Sequence, residues 1–181
     1  MASLFRPAGI LLNQYAEVHR DRRNIATHLV GVPMIVFGVA VLLVWPLFVV
    51  AGFVVTLAGL VFAAAGLWYL TRGELALGMA TTASMALLVA AAHAVSGGGV
   101  ASQVSWGLGM FLVGWVIQFI GHYYEGRKPA FADDVVGLLV SPMFVVLELL
   151  ALLGLFKRLI DNIEQHAGPT HLRNLAHPAL R

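Results

Sequence analysis

The chain has no cysteine among its 181 residues. Disulfides and thiolate metal sites are therefore excluded, and a metal, if bound, has to be held by His, Asp or Glu. Charge is nearly as scarce: charged side chains make up 11% of the sequence and hydrophobic ones 60%, whereas soluble domains carry about 25% charged residues. So few charges cannot cover a water-soluble shell. No charged side chain lies between His28 and Arg72, and Leu75–Val95, Val100–Tyr124 and Val135–Phe156 are nearly as clean. Because a helix needs ~20 apolar residues to cross ~30 Å of hydrocarbon, the first stretch holds two spans and the others about one each. The expected fold is an all-α, polytopic membrane helical bundle in one domain, residues 1–181, with four to five apolar segments and an interfacial helix.

The segments follow from apolar periodicity and turn chemistry. Pro7 suits a first helical turn, and Leu11, Leu12, Tyr15 and Val18 share one face, so residues 7–20 are expected to form an amphipathic interfacial helix rather than a cleaved signal. Asn24 is the expected N-cap of a span over 25–44 that Pro33 could kink. Further spans are expected at 47–70, 75–95 and 106–124. Residues 135–156, interrupted by Ser141-Pro142, read as a re-entrant segment, with a fifth span as the alternative, and 157–181 as a polar tail.

A formal charge of +2 could point to nucleic acid, but the basic residues flank the span ends. Arg20, Arg22 and Arg23 precede the first span, Arg72 follows the second, and Arg127 and Lys128 follow the fourth, which orients these loops to the cytoplasm. No nucleic-acid partner is expected; membrane lipid is.

That orientation brings His19, His28 and His122 to one level near the cytoplasmic face, where three imidazoles form a candidate metal site. Asn24 lies one turn before His28 and Glu125 about one turn after His122, so each could support an imidazole, and Glu125 could ligate directly. His93 is expected at the far end of its span, ~27 Å away along the helix, and outside the cluster. Glu148 reads as a polar contact within the bundle. His166, His171 and His177 read as members of a mobile solvated tail, although one of them could complete a metal shell.

His19, Asn24, His28, Gly31, Val32 and Pro33, followed by Gly114-Trp115, Gln118 to His122, Glu125, Arg127-Lys128-Pro129-Ala130 and Ser141-Pro142, resemble the small membrane family of iron(II)-dependent 2-hydroxy fatty acid dioxygenases. The resemblance implies α-oxidation of a long-chain 2-hydroxy fatty acid with dioxygen, giving the acid one carbon shorter and carbon dioxide. It implies Fe(2+) as cofactor and His19, His28 and His122 as catalytic metal ligands, leaving room on an octahedral ion for substrate and dioxygen. Arg127 or Lys128 would offset the substrate carboxylate. The host membrane is expected to be a bacterial inner membrane rather than endoplasmic reticulum. Two other classes fit the apolar spans: a small carrier or channel, and a bis-histidine haem protein.

Overall fold

A computed structural model describes residues 4–128 and 136–176. Pro129-Ala130, Val135 and His177, all used in the sequence reading, lie outside the described residues. The chain runs α1 (Ala8–Ala16), α2 (Arg22–Leu42), a hairpin of β1 (Pro46–Val50) and β2 (Phe53–Thr56), α3 (Leu57–Leu70), α4 (Leu75–Val95), α5 (Val100–Glu125), α6 (Val136–Ala151) and α7 (Lys157–Ala167). Among the described residues three helical stretches are long and apolar enough to cross a membrane: Arg22–Leu42, Leu75–Gly98 and Val100–Glu125. The architecture is the expected all-α membrane bundle.

The α2–α5 pair is the structural axis, and its close contact is written in the sequence at intervals of seven. Along α5, Gly107, Gly114 and Gly121 face Gly38, Gly31 and Asn24 of α2 in antiparallel register. A Cβ on Gly31 would lie 2.9 Å from the Gly114 carbonyl oxygen, and one on Gly38 would lie 2.7 Å from that of Gly107. No side chain fits there, so the two backbones touch, as small-residue seams allow between membrane helices. This register sets His28 of α2 beside His122 of α5.

Four local expectations are corrected. Residues 47–70 do not form one helix: the strand Pro46–Val50 pairs with Phe53–Thr56 as a hairpin, and α3 has 14 residues. Ala51 and Gly52 both take positive φ, 49° and 83°, as a two-residue hairpin turn of type I′ demands. The flanking β-branched valines favour strand. Asp21, not Asn24, caps α2: its carboxylate accepts from the Arg23 N–H at 2.9 Å, and Asn24 lies inside the helix. The interfacial helix ends at Ala16, leaving His19 in the connection to α2.

Finally, the described part of the tail, residues 157–176, is docked on the bundle: α7 buries Ile163 against α1, and Asn13 Nδ2 donates to Asn162 Oδ1 at 2.8 Å. Beyond it, the His171 N–H donates to the Arg20 carbonyl at 3.0 Å, and the Arg22 N–H to the His171 carbonyl at 2.9 Å. The Arg173 guanidinium donates to the Tyr124 and Tyr123 carbonyls at 2.8 and 3.0 Å, satisfying acceptors that the C-terminus of α5 leaves free. The 16-residue α6, about 24 Å long, buries Pro142 to Leu147 under α1.

Candidate metal centre

His19, His28 and His122 converge from the α1–α2 connection, α2 and α5. All three are buried, and each offers a nitrogen within 4.8 Å of the other two. Their ring centroids lie 4.5 to 5.1 Å apart, with the rings nearly perpendicular.

The backbone fixes two tautomers. His19 Nδ1 lies 2.6 Å from the Tyr15 carbonyl oxygen, and His28 Nδ1 lies 2.8 Å from that of Asn24. A carbonyl can only accept, so in both rings Nδ1 carries the hydrogen and Nε2 presents a lone pair. These two Nε2 atoms face one another at 3.0 Å, a repulsive approach for neutral rings unless a cation or proton lies between them. Two nitrogens held ~2.1 Å from one ion are ~3.0 Å apart at a right angle and ~3.4 Å apart at the tetrahedral angle. The pair therefore fits cis positions of an octahedral ion. His122 adds a third imidazole whose Nδ1 has no hydrogen-bond partner. Burial, then the neighbouring His28 and His122, hold the His19 imidazole well below its ordinary pKa; the Tyr15 carbonyl opposes this and Arg20 adds to it. His19 is thus neutral at pH 7, the form that binds metal.

Glu125 does not reach into the cluster; it ties the cluster's supports together. Its carboxylate accepts from the Arg20 N–H at 3.0 Å through both oxygens, from the Asp21 N–H at 2.8 Å and from Asn24 Nδ2 at 3.0 Å. These donors lie at the N-terminal end of α2, where free N–H groups and the helix dipole favour an anion. One side chain on α5 thereby holds both the segment bearing His19 and the helix bearing His28. Asn24 Nδ2 also donates to the Val18 carbonyl at 3.1 Å, so Asn24 braces the same connection. Asp21 completes this frame. Burial raises its acidity constant's pKa, but donors from the Arg23 side chain and from the Arg173 and Arg23 N–H groups outweigh that and bring it to about 2.

The other sequence candidates fall elsewhere. Gly126, at φ 72°, ends α5 ahead of Arg127, whose guanidinium reaches the Glu17 carbonyl at 3.3 Å on an exposed face. Neither Arg127 nor Lys128 lines the cavity described below. His93 meets Thr56 Oγ1 at 3.1 Å beside the hairpin, outside the cluster. Glu148 pairs with Arg20 at 3.6 Å. His166 and His171 are exposed and do not join the three buried imidazoles.

A cavity of about 320 Å³ opens against His28 and His122 and runs between α2, α3, α4, α5 and α6. Its α2 wall extends from His28 to Val39, about 16 Å of helix. Apart from the imidazoles, its polar lining is limited to the side chains of Tyr15, Tyr69, Gln118 and Ser141 and the indole of Trp115. Among the described residues, no Lys, Arg, Asp or Glu lines it. Tyr15 stacks on His19 with centroids 4.0 Å apart and donates to Ser141 Oγ at 2.8 Å. The sequence reading gave Gln118 and Tyr15 no part in the site; their signal was a spacing of four from a histidine, Gln118 before His122 and Tyr15 before His19.

A family model described as 2-hydroxy-palmitic acid dioxygenase Mpo1-like matches residues 6–153. The 2-hydroxy-palmitic acid dioxygenase MPO1 of Saccharomyces cerevisiae is 41% identical over 70 residues, which are 38% of this chain and 40% of that protein. The chain thus aligns with less than half the length of that relative. No solved structure matches.

Proposed function

This chain belongs to the 2-hydroxy-palmitic acid dioxygenase Mpo1-like family, and on that premise we propose that it is an iron(II)-dependent dioxygenase of long-chain 2-hydroxy fatty acids. The balanced reaction takes RCH(OH)COOH and dioxygen to RCOOH, carbon dioxide and water. The observation that carries the proposal is the juxtaposition of three buried imidazoles, two with facing Nε2 lone pairs 3.0 Å apart, with a largely apolar cavity that His28 and His122 line.

His19, His28 and His122 would hold the metal. Bound Fe(2+) would supply a Lewis-acid contact for the substrate's oxygens and a path for the substrate's four electrons to dioxygen. The Tyr15 and Asn24 carbonyls keep the His19 and His28 rings in the ligating tautomer, as hydrogen-bonded outer groups do at metal sites generally. Glu125 holds the two ligand-bearing segments in register. The apolar walls receive the acyl chain and exclude water around the head, which strengthens electrostatic contacts there. The reading puts the head near the membrane surface, in a bacterial inner membrane with the site toward the cytoplasm, and the chain at the depth of the hydrocarbon.

The alternatives lack this support. A bis-histidine haem needs two nitrogens on opposite sides of one iron, ~4 Å apart at bonding distance, whereas His19 and His28 approach to 3.0 Å. A carrier for polar solutes needs a polar path, and the cavity lining is almost wholly apolar.

The test is metal analysis and product mass spectrometry on purified protein loaded with iron or zinc. One iron per chain, lost in His19→Ala, His28→Ala and His122→Ala, and oxygen-dependent chain shortening only with iron are the expected results. Undiminished iron in the three variants, or equal turnover with redox-inert zinc, would overturn the proposal.

A further inference from the structure

Gln118 occupies the cavity wall one turn before His122 on α5 and is 4% exposed. Its Nε2 is buried without a hydrogen-bond partner. Buried amides nearly always find partners, so each exception calls for a physical reason. The seam explains why the amide sits where it does: Gly31 on α2 has no side chain, and a Cβ there would lie 2.9 Å from Gln118 Nε2. The fold has therefore cleared space on the facing helix for an amide that bonds to nothing in the protein.

We propose that Gln118 is the residue that reads the polar head of the bound acid, its amide N–H donating to a carboxylate oxygen of a 2-hydroxy fatty acid whose chain fills the cavity. This rests on the functional reading above and names a contact within it. The argument is one of donor supply. A carboxylate brought into this cavity loses its hydration, and the oxygen lone pairs that a bound metal would not take up require donors. No lysine or arginine among the described residues lines the cavity, and of Arg127 and Lys128, the basic residues that the sequence offered, Arg127 reaches the Glu17 carbonyl on an exposed face. The Tyr15 hydroxyl already donates to Ser141. Among the described lining groups, the Gln118 amide nitrogen is buried without any partner and lies one turn before His122.

The probes are 2-hydroxyhexadecanoate and hexadecanol, titrated by tryptophan fluorescence into zinc-loaded wild-type, Gln118→Leu and Gln118→Glu proteins, where binding proceeds without turnover. Leucine keeps much of the volume and removes the donor; glutamate keeps the length and opposes one carboxylate with another. The expected result is a tenfold or greater loss of 2-hydroxyhexadecanoate affinity in Gln118→Leu and a larger loss in Gln118→Glu. Hexadecanol affinity, zinc content and the unfolding temperature of the ligand-free protein should stay level in Gln118→Leu. A structural role would instead lower that unfolding temperature and weaken both ligands alike. Equal 2-hydroxyhexadecanoate affinity in wild type and both variants would overturn the role of Gln118 while leaving the dioxygenase reading intact. Failure of the wild type to prefer 2-hydroxyhexadecanoate over hexadecanol would overturn both.

Discussion

Replacing Glu125 tests whether the histidine cluster is assembled by a buried carboxylate that itself touches no metal. In Glu125→Ala, the Arg20 and Asp21 N–H groups and the Asn24 amide lose their acceptor. All three donor residues are buried. Each unsatisfied buried donor costs about 1–3 kcal/mol, and partial rehydration brings the sum to about 3–6 kcal/mol. That is a large part of the 5–15 kcal/mol typical of a folded domain. Glu125→Gln is milder, because an amide oxygen in the Oε2 position keeps the Asp21 and Asn24 contacts and loses mainly the second bond to the Arg20 N–H, about 1–2 kcal/mol. The assay is thermal unfolding of metal-free protein in detergent, paired with iron titration. Alanine should lower the unfolding temperature by on the order of 10 °C and weaken iron binding about 10–100-fold, with glutamine between alanine and wild type. His122→Ala should instead abolish iron binding and leave metal-free unfolding near wild type, since it removes one of three crowded imidazoles. If Glu125→Ala loses iron but unfolds metal-free at the wild-type temperature, Glu125 is a ligand and the tether argument is wrong.

The seam makes a second prediction. Gly114→Ala places a Cβ 2.7 Å from Ile35 Cγ1 and 2.9 Å from the Gly31 carbonyl oxygen, and it should destabilise by about 1–3 kcal/mol through overpacking. Gly109→Ala, on the same helix with nothing within 4 Å, should match or exceed wild type in a melting experiment; equal behaviour of the two variants would refute the close-contact register. The tail makes a third. Arg173→Ala removes the donors to the Tyr123 and Tyr124 carbonyls and should increase proteolysis after α7 in limited digestion; wild-type resistance would show that the other tail contacts suffice.

The sequence allowed the convergence of the histidines to be read because topology alone puts three span ends at one depth, and depth needs only hydropathy and the distribution of arginines. It did not reveal how the histidines are held, because that depends on register. The spacing of seven in Gly107, Gly114 and Gly121, mirrored by Asn24, Gly31 and Gly38, was visible in the residues, yet glycines in a membrane helix signal close packing without naming the partner helix. The hairpin was hidden for a related reason: hydropathy does not separate strand from helix in a continuous apolar run, and the decisive feature was the pair Ala51-Gly52 between valine-rich segments. The tail could not be read as docked because its contacts are largely to backbone groups. The Arg20 carbonyl, the Arg22 N–H and the end of α5 become available only after α2 and α5 have packed.

The same architecture limits where selectivity can arise. Burying a methylene from water contributes about 0.8 kcal/mol, but a fatty acid in a bilayer has already left water, so moving its chain from lipid into an apolar cavity contributes far less, just as apolar helices gain little from apolar contact inside membranes. The walls lined by Val32, Ile35, Val36 and Val39 therefore act mainly through shape, setting how much chain fits beyond the head. If the chain acts as proposed, discrimination between a 2-hydroxy acid and the ordinary fatty acids around it has to come from the polar end. There the protein offers three imidazoles whose positions depend on the α2–α5 seam and Glu125, and one amide that the seam leaves unpaired. A site with so few polar groups can tolerate little error in their placement, which is why two glycine rows and a buried carboxylate far from the acyl chain bear on its chemistry.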